Sequence, residues 1–428
     1  MSVFDSTSLD SHTGNFYDYS EEEHPSRGEI VADGKYGELI LLGYNGPSEQ
    51  NGGKKQQCKM ELCMRKMGNG VKKAAVSIVS VPASQAPAVL DSSRHVVSYS
   101  YSKSQTVLVE YANDPSKDMF QIGRSSEDMI DFTVVDTQLA STAAGSAHKG
   151  SSRDSRPISS TISRYACRIL VDRENPNKAC LYAAGFDASK NIFLGEKASK
   201  WTKNNKELDG LTTNGILILH PDRTCTGDDA SEEDGDSKEK MYVWREVSVD
   251  GDIYSLRETR SSNCRGEMCT DQSNMLQDGT LIDLCGATLL WRSAEGLEKS
   301  PSGYDLERAL NDLNAGKPQC PVNLNTLIIP KKKTSSRTPS SRQPYVYLSC
   351  GHLTMGMQPA FHLDSGTLEY SFNPCGHVAS HRTVKYWSAI PLPHGTNSFH
   401  PVCPFCTTLL ATDKPFVRLI FQDHLFDA

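Results

Sequence analysis

Short apolar runs punctuated by turn residues dominate the first two thirds of the chain, and almost none of them carries a helical period. Glu38–Leu42, Ala75–Val79, Thr106–Tyr111, Phe132–Val135, Cys167–Val171, Gly215–Leu219, Trp244–Val249, Ile253–Leu256 and Thr288–Trp291 each have strand length and are rich in β-branched, leucine and aromatic residues. Many short strands of this kind predict a mainly β fold, a sandwich or barrel. A helix is predicted only at Gly303–Ala315, where Leu306, Leu310 and Leu313 share a face and Gly316 with Pro318 supplies the stop.

Polar stretches interrupt the strands. Residues 46–53, 137–156 and 224–240 are rich in small, polar or acidic residues and read as surface loops. The basic, serine-rich run 331–342 reads as a linker, with an import signal or a phosphorylated hinge as the other readings. The expected organisation is a variable, disordered leader over 1–33, a β-rich domain over 34–295, a helix and linker over 296–343, and a small Cys/His-rich region over 344–428.

Composition narrows the function classes. The chain has 428 residues and a net charge of −7, which argues against whole-chain affinity for nucleic acid, since phosphate neutralisation needs a basic surface. No segment approaches the roughly 18 apolar residues of a membrane span, so membrane insertion is not expected. Thirteen cysteines is an odd number, and nine lie scattered before Lys331 without a repeating spacing, which suits free thiols in a reducing cytoplasm.

The last four cysteines differ. Cys350-Gly351-His352, Cys375-Gly376-His377 and Cys403-Pro404-Phe405-Cys406 are ligand pairs at short spacing, and seven of the twelve histidines fall in the same stretch. Two neighbouring donors can grip one ion, so this region is expected to bind zinc through Cys350, His352, Cys375, His377, Cys403 and Cys406. A nucleic-acid-binding zinc module is the weaker alternative, because no strongly basic or aromatic-rich surface accompanies the cluster.

A second constellation lies on strand ends. Phe120-Gln121-Ile122-Gly123-Arg124 ends a strand with an arginine, Ser163-Arg164 precedes the strand at Cys167, and Leu211-Thr212-Thr213-Asn214-Gly215 turns into another. Singly these are ordinary turns and solvated arginines. Together they supply what phosphothreonine recognition needs: arginine and serine for the phosphate oxygens, and an asparagine amide for a peptide backbone.

Gly-Arg, then Ser-Arg, then Thr-Asn-Gly on successive loops resembles the forkhead-associated domain. Tyr36-Gly37-Glu38-Leu39, Ala184-Gly185-Phe186-Asp187, Asn191–Lys197, Asp209–Gly215 and Asp283–Arg292 resemble more narrowly the Pellino proteins, ubiquitin ligases of Toll and interleukin-1 receptor signalling, from about Lys35 to Phe421. The resemblance implies a forkhead-associated sandwich enlarged by a β-rich wing, with Arg124, Ser163, Arg164, Thr213 and Asn214 at the phosphothreonine-binding positions. It also implies a RING-like region that recruits a ubiquitin-conjugating enzyme, and phosphorylated receptor-associated signalling kinases as partners.

The chain departs from that family in one place. The family has four ligand pairs, whereas only 22 residues, none of them cysteine, separate His352 from Cys375, so one Cys-Pro-x-Cys pair is absent. If pairs alternate between two ions, Cys350 and His352 share one with Cys375 and His377, and Cys403 and Cys406 lack half their ligands unless His394 or His400 substitutes. Two readings follow: a phosphothreonine-dependent ubiquitin ligase with no nucleophile of its own, or a phosphothreonine-binding adaptor that lost ligase activity with the missing pair.

Overall fold

Alternation of side chains along a strand puts successive residues on opposite faces, so a strand apolar at every position needs cover on both sides. That constraint organises the computed structural model, which describes residues 34–44, 59–134, 160–204, 207–221, 242–301, 308, 311–312, 314–316, 366–394, 398–404 and 408–419. The expected leader, the loops at 46–53, 137–156 and 224–240, the linker, Cys350, His352 and Cys406 lie outside these residues.

In chain order the first region contains β1 (Lys35–Tyr44), β2 (Lys59–Cys63), β3 (Gly70–Val79), the short α1 (Pro87–Leu90), β4 (His95–Ser102), β5 (Gln105–Asp114), β6 (Lys117–Gly123), β7 (Phe132–Thr133), β8 (Cys167–Asp172) and β9 (Ala179–Ala183). It continues with β10 (Asn191–Leu194), β11 (Lys200–Thr202), β12 (Leu208–Gly210), β13 (Ile216–Leu219), β14 (Arg245–Val247), β15 (Ile253–Tyr254), β16 (Leu281–Asp283), β17 (Ala287–Ser293) and α2 (Ala294–Glu298). The C-terminal region adds β18 (Tyr370–Phe372), β19 (Val378–Ala379), α3 (His381–Ala389), β20 (Leu392–His394), β21 (Ser398–His400) and β22 (Phe416–Arg418).

Each of the nine apolar runs contains a strand, and the fold is mainly β as expected. Residues 308, 311, 312, 314 and 315 are helical, in line with the helix expected at Gly303–Ala315. That segment is not the sole helix, however. Ser380 caps α3 by accepting a hydrogen bond from the Thr383 amide at 3.1 Å, and Thr383, Val384 and Trp387 form its buried face. With apolar residues at only two of those positions, the segment carries a weaker helical period than Gly303–Ala315.

A seven-stranded sheet runs in the order β15-β14-β13-β16-β17-β1-β2, and a four-stranded sheet in the order β7-β6-β8-β9. Their inner faces share one core: Leu39, Ile216, Ile218, Ile282, Leu289 and Trp291 from the first, with Phe120, Ile122, Cys167, Ile169 and Leu181 from the second. A third sheet, β10-β4-β5-β3, adds Val97, Tyr99, Val107, Val109 and Ile192 to the same core. This is a sandwich with a β-rich appendage.

The seven-stranded sheet is apolar on its outer face too. Ile40, Leu217, Leu219, Leu281 and Leu290 alternate with the inward residues and pack with Val384, Trp387, Ile390, Leu392, Val402 and Cys403 of the C-terminal region. Across the same boundary Trp244 Nε1 donates to Pro391 O at 2.6 Å, and the Tyr242 and Tyr386 rings meet edge to face at 5.7 Å. Burying each of those leucines contributes roughly 1.5–3 kcal/mol relative to exposure. The described residues from Lys35 onward belong to one compact unit. Among the described residues no helix is long and apolar enough to cross a membrane.

Truncating Trp387 to alanine leaves a cavity against this outer face, at a cost of about 3–5 kcal/mol. The expected outcome in limited proteolysis is early cleavage between residues 366 and 419 while the sandwich stays resistant; an unchanged digestion pattern contradicts the docking.

Candidate functional site

The three strand-end motifs converge. Gly123 closes β6 where its backbone runs against the 160–166 loop; a Cβ there would stand 2.0 Å from Arg164 O, so no other residue fits without moving that loop. The Arg124 amide donates to Ser163 O at 3.1 Å and the Ser125 amide to Arg164 O at 3.2 Å, which staples the loop to the end of β6. Arg124 is exposed, and its Nε donates to Ile162 O at 2.8 Å. One edge of the guanidinium is thereby fixed, and the terminal nitrogens are the donors left for an anion.

Asn214 joins the third loop to the second. Its Nδ2 donates to Thr161 O at 2.6 Å and to Ser163 Oγ at 3.3 Å, so the carbonyl oxygen is the amide group left to accept a peptide N–H. Arg164 and Thr213 are exposed beside these contacts, and the Arg164 guanidinium lies 5.8 Å from the centre of the Tyr165 ring. Arg124, Ser163, Arg164, Thr213 and Asn214 therefore sit on three loops held together by direct hydrogen bonds.

Gly215 makes the turn that presents Thr213 and Asn214. Its φ is +70°, a region in which side chains are strained, and an added Cβ would lie 2.6 Å from Glu246 Oε1. Below the turn, Arg257 donates to Thr212 O at 2.8 Å and forks onto Glu246 at 2.6 and 2.9 Å, while Arg260 donates to Asn214 O at 3.2 Å and Gly215 O at 3.4 Å and pairs with Asp283. Burial pushes the Glu246 carboxyl up from the usual carboxylate range, and the Arg257 pair opposes that shift.

Sequence reasoning passed over Arg257, Arg260, Glu246 and Asp283. For Asp283 a signal was available: an isolated acid beside apolar strand residues, as in Leu281-Ile282-Asp283, calls for a buried cation.

The second grouping could hold a metal ion. Cys375 and His377 flank Gly376, whose φ of +79° turns the chain between β18 and β19, and both side chains meet the buried Cys403 beyond the β20–β21 hairpin. His377 Nδ1 lies 3.5 Å from Cys375 Sγ and 3.6 Å from Cys403 Sγ. Ligand bonds of about 2.3 Å to sulfur and 2.05 Å to nitrogen, set at the tetrahedral angle, give an S···N edge of about 3.6 Å. The two S···N spacings thus fit a tetrahedral soft-metal site, and Cys406, three residues after Cys403, lies outside the described residues.

Cys403 is not left without partners, because α3 and the following hairpin return the chain across 26 residues to the Cys375-Gly376-His377 turn. His400, on β21, is exposed and is not a member of the group.

The family model described as Pellino, FHA domain, matches residues 26–309. The one described as Pellino, RING domain, matches in two segments, 313–354 and 352–427, and breaks where the absent ligand pair would fall. The chain is 48% identical over 438 residues to "Protein pellino" of Drosophila melanogaster, covering 94% of this chain and 98% of the relative. It is 43% identical over 435 residues to the human "E3 ubiquitin-protein ligase pellino homolog 2", with 94% and 98% covered. It is also 44% identical over 422 residues to the mouse "E3 ubiquitin-protein ligase pellino homolog 3", with 91% and 90% covered.

Two outcomes test these geometries. Gly215→Ala is expected to lower stability by about 1–2 kcal/mol in denaturant unfolding, from the left-handed backbone alone. Cys403→Ser is expected to remove one equivalent of bound metal per chain by elemental analysis; an unchanged metal content contradicts the assigned group.

Proposed function

This chain belongs to the Pellino family, and from that premise we propose that it is a RING-type ubiquitin ligase that selects its partners by phosphothreonine. The observation that carries the selection step is the convergence of Arg124, Ser163, Arg164, Thr213 and Asn214 on three stapled loops. In this reading the two arginines and Ser163 take the phosphate oxygens, and Thr213 and Asn214 hold the main chain of the peptide. The resemblance to Pellino proteins supports receptor-associated kinases of Toll and interleukin-1 receptor signalling as the phosphorylated partners, and the cytoplasm as the compartment.

The C-terminal region takes the role of recruiting a charged ubiquitin-conjugating enzyme. Zinc is the ion proposed, because two cysteines and a histidine at tetrahedral spacing, with Cys406 as fourth donor, match its preferred ligands. It would act as a cross-link that closes the region, whose apolar surface is already engaged with the sandwich. No residue of this chain attacks a bond. Catalysis is positioning: the phosphate-bound partner and the enzyme carrying the thioester are brought together, and the effective concentration of the acceptor amine rises.

The interrupted RING match and the absent ligand pair favour a second reading, an adaptor that binds phosphothreonine without transferring ubiquitin. Purified chain with ubiquitin, activating enzyme and a panel of conjugating enzymes separates the two: chain-dependent transfer is expected, and binding without transfer selects the adaptor. Replacing Arg124 by alanine is expected to weaken phosphothreonine-peptide binding by about 10- to 100-fold, the equivalent of one lost charged hydrogen bond of roughly 1.5–3 kcal/mol. Titration calorimetry reads this, and full-strength binding by the variant overturns the site.

A further inference from the structure

The outer face of the seven-stranded sheet carries a polar row among its leucines. In the register of β13 with its two neighbours, Leu217 stands opposite Glu246 of β14 on one side and Asp283 of β16 on the other. Both carboxylates are buried, at 2% and 0% exposure. A buried carboxylate needs a cation with matching hydrogen bonds, and each has one: Arg257 forks onto Glu246, and Arg260 pairs with Asp283.

Each arginine has donors beyond its carboxylate; Arg257 Nη1 donates to Ser262 O at 2.9 Å, and the others reach one turn. Arg257 reaches Thr212 O, and Arg260 reaches Asn214 O and Gly215 O. The turn that leads into β13 is therefore gripped at three of its four carbonyl-bearing residues by two guanidiniums anchored on the flanking strands. Asp283 extends the grip to the second loop: it accepts from the Cys285 amide at 3.0 Å, and Cys285 O accepts from the Thr161 hydroxyl. Asn214, whose carbonyl Arg260 holds, in turn bonds Thr161 O and Ser163 Oγ.

We propose that Arg260, with Arg257 behind it, is a positioning residue for peptide recognition: it fixes the Thr212–Gly215 turn against the Ser163 loop without touching the phosphopeptide. The inference rests on the phosphothreonine reading of that site. Its physical content is preorganisation. Ordering a four-residue turn at the moment of binding costs conformational entropy, and a turn already held by its carbonyls does not bear that cost. An arginine is required because a planar fork can span two carbonyls and a carboxylate at once, whereas a lysine ammonium pairs with Asp283 as a point charge.

The test compares the full wild-type chain with Arg260→Lys, with the charge-neutral double variant Arg260→Met/Asp283→Asn, and with Arg124→Ala. The probe is an immobilised library of phosphothreonine peptides and their unphosphorylated counterparts. Arg260→Lys keeps the buried charge paired, so its melting temperature and metal content are expected to match wild type while phosphopeptide affinity falls about tenfold. The double variant is expected to lose affinity equally, although no buried charge is left unpaired. Wild-type affinity in either folded variant, with Arg124→Ala still inactive, overturns the positioning role and leaves the phosphothreonine reading intact. A wild-type chain that does not distinguish phosphorylated from unphosphorylated peptides overturns both.

Discussion

Strand β13 is apolar at every position, and much of the structure follows from the need to cover it twice. Ile216 and Ile218 face the sandwich core, while Leu217 and Leu219 face the C-terminal region. A sandwich whose outer face met water would alternate apolar with polar residues here. Instead Ile40, Leu281 and Leu290 extend the same apolar outer surface across β1, β16 and β17, and α3 with the β20 segment closes it. Just before Ile216, Gly215 of the Thr213-Asn214 turn leads into the same strand. One four-residue element thus carries a candidate recognition loop at its start and the docking surface of the metal-ligating region along its side.

That arrangement demands rigidity at the boundary. The row holding Leu217 contains two buried carboxylates, an arrangement that costs stability unless each is matched. The matching arginines come from the segment after β15, and each also donates to carbonyls of the turn, so the same four charged residues neutralise the sheet and shape the turn. The Cys/His group shows a comparable economy: Cys403 lies beside His377 in the group that could hold a metal ion and is also a member of the interface cluster.

Much of this was legible in the sequence, and the illegible part has a common cause. The run Ile216-Leu217-Ile218-Leu219 announces a buried strand, and the Gly-Arg, Ser-Arg and Thr-Asn-Gly motifs announce loops, because both are local patterns. What covers Leu217 is not local. Nor is the choice of partners for Cys403: spacing identifies ligand pairs, but which pairs share an ion depends on how α3 and its hairpin fold back. Helix α3 escaped because it is only nine residues long and four of them, His381, Arg382, Lys385 and Ser388, are polar, so its apolar face is narrow. Arg257 and Arg260 escaped because an arginine in a loop is solvated by default, and only Glu246 and Asp283 on distant strands make these two structural.

The sandwich and the C-terminal Cys/His region meet on β13 and pack as one body. Amide hydrogen exchange at Ile216–Leu219, read by mass spectrometry with and without a metal chelator, tests it most directly. Stripping the metal is expected to loosen the C-terminal region and accelerate exchange across β13 and its partners β14 and β16, while β6 and β8 in the opposite sheet keep their protection. Exchange at β13 that is indifferent to the chelator, while residues 366–419 lose protection, would mean that the two regions fold independently, and would contradict the shared sheet.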